Sequence, residues 1–342
     1  MTRVIARAAI AFLLLVTACS SSVSTHASTS AATPSPTVVA SGSTSPDSTL
    51  PLTTLDFACR LPVYAPVGGI PDAFVTFPAA SVSDAGKGGY YFDAAVNRWL
   101  PVPRAAVSPD GRRYAYTEGW SASPASKPRV HVVNAATGAD IRVATMPDAQ
   151  PYTVIDFTAS AVYLGIRYEG SAPGVWRLDP ATGLVSKVSN SLYTPDDVWL
   201  GQVDPRDPAP YLRPFDGGAE PDRIDYRVGG ATTTWLYRPG QALYWMPFAG
   251  SPALLVLARW GTAFSGGYDL WLLFGPNQAN RLATFIDQHP SPYNDIATSF
   301  FHSIADKHGI WIGGQQSIYL VTPAGAIQRV YPSEAYPANG CI

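Results

Sequence analysis

The chain has 342 residues, with 14% charged and 12% aromatic side chains, 32 Pro, 29 Gly and a formal net charge of −2. A near-neutral chain without a cluster of Lys and Arg lacks the basic domain typical of nucleic-acid binding, so we expect no nucleic-acid partner. Abundant aromatic and turn-forming residues with few charges are typical of many short strands joined by turns.

The N-terminus has the pattern of a secretory signal. Arg3 and Arg7 form a basic region, residues 8–16 form an apolar core, and residues 16–19, VTAC, look like a bacterial lipobox. The apolar run is too short to span a bilayer. We therefore expect residues 1–18 to be removed and Cys19 to carry a lipid that anchors the protein to the membrane, outside the cytoplasm. Ordinary signal cleavage, with Cys19 incidental, is the alternative.

Residues 19–55 are rich in Ser, Thr, Ala and Pro and have no hydrophobic period. Such a composition buries too little apolar surface to offset the entropy of ordering, so it predicts a disordered tether. The folded domain is then expected to span residues 56–342.

A hairpin pattern recurs along that domain. The clearest copy is residues 174–188, GVWRLDPATGLVSKV, where two alternating segments flank the turn sequence DPATG. Residues 130–143, VHVVNAATGADIRV, match it without a gap, and looser copies lie around Tyr91, Trp235, Trp271 and Tyr319. The aromatic positions of the copies, 91, 131, 176, 235, 271 and 319, are separated by 36 to 59 residues. This period of roughly 40 to 50 residues is the length of one four-stranded propeller blade.

One hairpin alone buries too little surface to be stable, so its repetition predicts stacked copies. We expect an all-β fold, a β-propeller of six blades with four antiparallel strands each, and five or seven blades are the alternatives. The expected blades are residues 60–102, 105–146, 153–188, 198–243, 244–285 and 298–331.

Two segments resemble repeats of known propeller families. The turn SPDG at residues 108–111, followed by Tyr114 and Tyr116, resembles the TolB-type repeat. Residues 305–313, ADKHGIWIG, are similar to the blade motif of bacterial sensor-type propellers. The resemblance implies a fold and no function, since propellers host unrelated activities.

The three cysteines divide into two groups. With Cys19 lipidated, Cys59 and Cys341 remain, one at each end of the repeats. A propeller places its first and last blades side by side, and an extracytoplasmic compartment favours oxidation. We predict a Cys59–Cys341 disulfide that closes the ring, with two unpaired thiols as the alternative.

No C-x-x-C, H-E-x-x-H, G-x-S-x-G or phosphate-binding loop is present, so the sequence predicts no catalytic residue, metal or cofactor. Four side chains are candidates for ligand contact. His302 is expected in the innermost strand of blade six, near the central channel, and Trp120, Trp199 and Trp260 fall at loop or strand-end positions. A structural packing role is the alternative for each.

These patterns favour a lipid-anchored binding or interaction module that engages a protein, peptide or glycan in the cell envelope. The alternative is an enzyme, a propeller lyase or hydrolase acting on an extracellular polymer, with His302, Asp156 and Asp197 as general acid and base. The lack of a catalytic constellation favours the binding module.

Overall fold

The computed structural model describes residues 50–64, 73–84, 89–118, 127–166, 174–190, 199–202, 221–262, 265–286 and 292–342. Strands dominate this part of the chain, and consecutive strands within each sheet pair antiparallel. The sheets follow one another along the sequence at the period of the predicted repeats. The structure therefore confirms an all-β propeller of six blades, most of them four-stranded.

The first blade consists of two hydrogen-bonded parts. Its strands are β1 (Cys59–Tyr64), β2 (Ala73–Phe77), β3 (Ser81–Asp84), β4 (Tyr91–Asp93) and β5 (Arg98–Leu100). The first three form one sheet, and β4 and β5 form a separate hairpin. The rings of Phe74, Phe92 and Trp99 pack together and join the two parts.

Blades two to four follow the predicted order. Blade two contains β6 (Arg113–Thr117), β7 (Arg129–Asn134) and β8 (Asp140–Thr145). Blade three contains β9 (Tyr152–Phe157), β10 (Val162–Ile166), β11 (Val175–Leu178) and β12 (Val185–Ser189). Blade four contains β13 (Trp199–Gln202), β14 (Arg223–Val228) and β15 (Ala231–Tyr237). In blade two, a single bridge from Val107 to Tyr114 stands in place of an inner strand. A 3-10 turn (Arg104–Ala106) precedes that bridge.

Blades five and six are complete four-stranded sheets. Blade five contains β16 (Ala242–Pro247), β17 (Leu254–Thr262), β18 (Ser265–Gly275) and β19 (Gln278–Ile286). Blade six contains β20 (Ser303–Asp306), β21 (Gly309–Gly313), β22 (Ile318–Val321) and β23 (Ile327–Tyr331). Helix α1 (Pro292–Ser299) and a 3-10 turn (Phe300–His302) join the two blades, and β24 (Tyr336–Pro337) follows blade six. No helix among the described residues is long and apolar enough to cross a membrane.

The repeated hairpin turns are alike at the level of single hydrogen bonds. The Asn134 side chain accepts the backbone N–H groups of the second and third residues after it, and Asp179 does the same. Gly138 and Gly183 each donate to the carbonyl four residues back and have φ of 75° and 79°. Because glycine adopts this left-handed conformation without a steric cost, the gapless match of the two turns has a physical basis.

The apolar core lies between neighbouring blades. One cluster joins blades two and three, another joins blades four and five, and another joins blades five and six. Trp311 of blade six packs on Phe77 of blade one, with ring centroids 5.7 Å apart. This is the arrangement expected of sheets stacked face to face around a ring.

The two ends of the propeller domain close the ring as predicted. The C-terminal β24 pairs with β1, so it completes the sheet of the first blade. Cys59 and Cys341 form a disulfide with a Cα–Cα distance of 5.4 Å, which confirms the predicted pairing across 282 positions. Asp306 accepts the Cys341 backbone N–H at 2.7 Å and the Trp311 indole N–H at 2.8 Å. The carboxylate thereby ties the C-terminal segment to blade six.

The described chain begins within the segment predicted as tether. Leu52 forms a parallel bridge with Arg329 of β23, and the Thr53 N–H donates to the Arg329 carbonyl. Leu55 is buried in the contact between blades six and one. Leu50 packs against the core between blades five and six and Leu55 is buried, which explains why this otherwise polar segment packs against the propeller.

Candidate functional site

The inner edges of blades five, six and one meet in the fold. β16 and β20 are edge strands of their sheets, and β24 is the edge strand beside β1. β16 contacts β20, and β20 contacts β24. Edge strands of successive blades meet where the blades converge, so these three strands lie around the central axis. Side chains on them, or immediately before them, are placed for a site at the channel.

Five aromatic side chains lie on these edge strands, immediately before β20 or, for Tyr64, on β1 opposite Tyr336. We call them the aromatic arc: Tyr64, Tyr244, Phe301, His302 and Tyr336. Tyr244 and Phe301 lie edge to face, with centroids 4.9 Å apart. Tyr336 stacks on Tyr64 at 5.4 Å and lies 4.7 Å from the His302 ring. Phe301 and His302 are consecutive residues, so the pair and the triad are connected through the backbone.

Phe301 is the member of the arc that packing does not account for. Its side chain is 66% exposed, whereas the adjacent Phe300 is buried. Single exposed apolar residues are common on protein surfaces, whereas contiguous exposed apolar groups mark interaction surfaces. Aromatic side chains also supply a large share of binding energy at interfaces.

Helix α1 holds the 3-10 turn of the arc in place. Asp295 is buried, and its carboxylate accepts the backbone N–H groups of Gln315 at 2.7 Å and Gln316 at 3.1 Å. Ile296 and Phe300 are buried between blades five and six. Because both ends of this helix–turn segment are anchored, the orientation of Phe301 is set by the fold.

The arc holds neutral groups next to carboxylates. Burial raises the pKa of Tyr64, and Tyr336 adds to that shift. Burial also raises the pKa of Tyr336, with smaller contributions from Glu334 and Asp295. Burial lowers the pKa of His302, so its imidazole is neutral at pH 7. The phenols are therefore protonated, and the recorded charges acting on Tyr336 are negative.

A hydrogen bond joins Tyr64 and His302 across the boundary between blades one and six. The Tyr64 hydroxyl lies 2.9 Å from His302 Nδ1. Which of the two atoms donates in this hydrogen bond depends on the imidazole tautomer. His302 itself lies in the 3-10 turn that precedes β20, one residue before the strand in which the sequence placed it.

Two of the predicted tryptophans lie in described strands. Trp199 is 8% exposed, and its ring lies 4.5 Å from Tyr226 and 4.7 Å from Trp235. Trp260 is partly buried near the end of β17, and its ring covers the Cα side of Gly267 on β18. Both rings pack against their own blade, and ligand contact by either stays a prediction.

The remaining predicted residues are placed as follows. Asp156 lies on β9 opposite Tyr163, in the first strand of blade three. Trp120, Asp197 and Cys19 lie outside the described residues. His302 has a phenol as its hydrogen-bond partner, where the enzyme hypothesis asks for a nearby carboxylate.

His131 shows what a packed histidine looks like in this protein. It is 7% exposed, stacks on Tyr116 at 4.6 Å and is hydrogen-bonded to Asp140 and Glu118. Within the described ranges, no group of three or more His, Cys, Asp and Glu side chains could hold a metal ion.

Sequence reasoning found His302 and missed the other four members of the arc. Tyr64 and Tyr336 lie 272 positions apart, and Tyr244 lies in another blade. Only Phe301 carried a local signal, because it adjoins His302 in the run SFFHSI.

The fold and the arc together define a six-bladed β-propeller with an exposed aromatic surface near its axis. Comparison with protein-family models gives no match, and comparison with curated proteins gives none either. Among solved structures, the chain is similar to TolB from Acinetobacter baumannii, with a TM-score of 0.43 and 13% identity. The match covers 83% of this chain and 66% of that one, just under two thirds of its length. We assign the fold from strand pairing and draw no function from this likeness.

Proposed function

We propose that this protein is an extracytoplasmic, lipid-anchored binding or interaction module of the cell envelope, and that the aromatic arc is its binding surface. The observation that carries the proposal is Phe301, a ring that is 66% exposed and packs edge to face with Tyr244. The next residue, His302, has its ring in contact with Tyr64 and Tyr336. A propeller channel mouth is a common place for ligand binding because loops and inner strands of several blades meet there.

The disulfide supports the location. Cys59 and Cys341 are joined, and structural disulfides persist mainly outside the cytoplasm. Cys19 is then the residue that attaches the protein to the membrane. Cys19→Ser should abolish incorporation of a labelled fatty acid and release the protein from the membrane fraction. Continued incorporation of the label in this variant would exclude Cys19 as the lipidation site.

The binding test compares two Phe→Ala variants of the full-length chain. Phe301→Ala removes the exposed ring of the arc, and Phe274→Ala removes a ring that is 45% exposed near the end of β18. Both remove the same number of atoms from the surface. Envelope components captured by the wild type and by Phe274→Ala, but lost with Phe301→Ala, would support the arc as the binding surface. Equal capture by all three proteins would exclude it.

The enzyme alternative draws on one observation, the hydrogen bond between Tyr64 and His302. A tyrosine–histidine pair exchanges protons with a substrate only if one member is an accessible base. Here the pKa of the Tyr64 phenol is raised, and Nδ1 of the imidazole is occupied by the hydrogen bond to that phenol. The pair is poorly suited to proton abstraction at neutral pH, so the binding function is better supported. Turnover of an envelope polymer that is lost in Tyr64→Phe would reverse this preference.

A further inference from the structure

The charges around the arc indicate what kind of group it accepts. Glu334 is partly buried and lies two residues before Tyr336, just ahead of β24. Two residues span at most about 7 Å of chain, and the Glu334 carboxylate acts electrostatically on the Tyr336 phenol. Faces of aromatic rings attract cations, and a nearby carboxylate strengthens that attraction.

Elsewhere in the described part of the chain, five aromatic rings have a cation of the same chain over them. Arg or Lys side chains of this chain cover aromatic faces in blades one, three and five, at distances of 4.1 to 5.9 Å to the ring centroids. The covered rings are Phe74, Tyr91, Phe157, Trp176 and Trp271. The recorded partners of Phe301 and His302 are other rings, and both side chains are exposed.

We propose that the aromatic arc binds a lysine or arginine side chain of a polypeptide partner, with an apolar side chain of the same partner next to it. The basic group would lie over Phe301 and His302 on the side nearer Glu334, and the apolar group would pack on the Phe301–Tyr244 pair. This inference rests on the proposed function.

The length of the arc favours a polypeptide over a small cation. An isolated ammonium group covers the face of one or two rings. The arc extends over edge strands of three blades, through β16, the turn before β20, and β24. A chain that presents a charged and an apolar side chain matches this combination of rings and carboxylate.

The test selects ligands without assuming one. A random peptide library is panned on the full-length wild type in detergent micelles, and in parallel on Phe301→Leu, Glu334→Gln and the control Phe274→Leu. We expect Lys or Arg to be enriched at one position, beside an apolar residue, with the wild type and with the Phe274→Leu control. Replacing that basic residue by norleucine in a selected peptide should weaken binding about fivefold to thirtyfold, as expected for a cation on aromatic faces. Phe301→Leu and Glu334→Gln should lose the preference for the basic residue.

The outcomes separate this inference from the proposed function. Enrichment of peptides without a basic residue would overturn the inference, and so would equal binding of a selected peptide and its norleucine form. If Phe301→Leu still weakens the binding of these peptides, the arc remains an apolar binding surface. Enrichment of no peptide, together with Phe301-dependent binding of an envelope glycan, would also overturn it. Binding that Phe301→Leu leaves unchanged would overturn the inference and the proposed function together.

Discussion

Removal of the Cys59–Cys341 disulfide tests whether this bond stabilises the closed ring by restricting the conformations of the unfolded chain. The bond joins positions 282 residues apart, while β24 and β1 also hold the chain ends together in the native protein. Cys59→Ala, Cys341→Ala and the double variant each break the bond. Alanine is chosen because Cys59 is buried, and a serine hydroxyl there would add a desolvation cost.

The expected magnitude follows from the length of the closed loop. The chain-entropy relation for a loop of this length gives about 5.6 kcal/mol at 25 °C, which is an upper estimate because unfolded chains keep residual structure. With an unfolding entropy of about 2.1 cal/mol/K per residue over about 280 residues, this corresponds to a fall in Tm of about 9 °C. Either single substitution removes the whole bond, so the double variant should lose little more than each single variant.

Differential scanning calorimetry and urea titration of the oxidised proteins measure the effect. The oxidised wild type should also show a smaller m-value than the variants, because the disulfide keeps its unfolded state more compact. Wild type treated with a reductant should behave like the double variant. A fall in Tm of less than about 2 °C, or losses in the two single variants that add in the double variant, would refute the reasoning from loop closure.

Three further predictions concern the supports of the fold and of the arc. Asp306→Asn keeps one of the two side-chain oxygens that accept hydrogen bonds, so the free energy of unfolding should fall by about 3 kcal/mol. Calorimetry should show this as a fall of about 5 °C in Tm, and an unchanged Tm would contradict the role of Asp306 in holding the C-terminal segment. Gly309→Ala would place Cβ against a backbone carbonyl at φ of 148°, whereas the space beside Gly138 is open. Gly138→Ala should therefore lower the free energy of unfolding only by the cost of the left-handed conformation, about 1–2 kcal/mol, and Gly309→Ala should lower it clearly more. Equal losses of stability in urea titration would contradict the clash. Burial raises the pKa of Asp295, so the folded state binds its proton more tightly than the unfolded state, and this group's contribution to stability falls as pH rises through the window above its ordinary pKa of 3.8. Asp295→Asn should therefore remove that slope, and identical pH profiles of Tm between pH 4 and pH 7 would contradict the assignment.

The repeats could be predicted because their determinants are local. The turns at Asn134 and Asp179 are closed by side-chain and backbone hydrogen bonds within five residues, and Gly138 and Gly183 mark the left-handed positions. A pattern that depends on five consecutive residues is visible in the sequence, and its recurrence indicates the number of blades. The disulfide was predictable for another reason, since few cysteines leave few pairings once the ring is inferred.

Helix α1 was not predicted, and neither was the division of the first blade into two sheets. Residues 292–299 carry a weak apolar pattern, and the helix is stabilised by Asp295 accepting hydrogen bonds from the loop after β21. β24 has two residues, too few for a periodic signal, and exists because β1 pairs with it. The partners that stabilise α1 and β24 are the loop after β21 and strand β1, and neither adjoins its element in the sequence.

What the sequence by itself determined is the module: a hairpin with its turn chemistry, repeated often enough to require a closed ring. What only the tertiary structure decided is which rings lie buried between blades and which lie exposed near the axis. Trp199 begins β13 and Phe301 lies in the turn before β20, yet one is 8% exposed and the other 66%. The difference arises because burial depends on residues distant in the sequence, such as Tyr226 and Trp235 beside Trp199, whereas turn geometry depends on the next few residues.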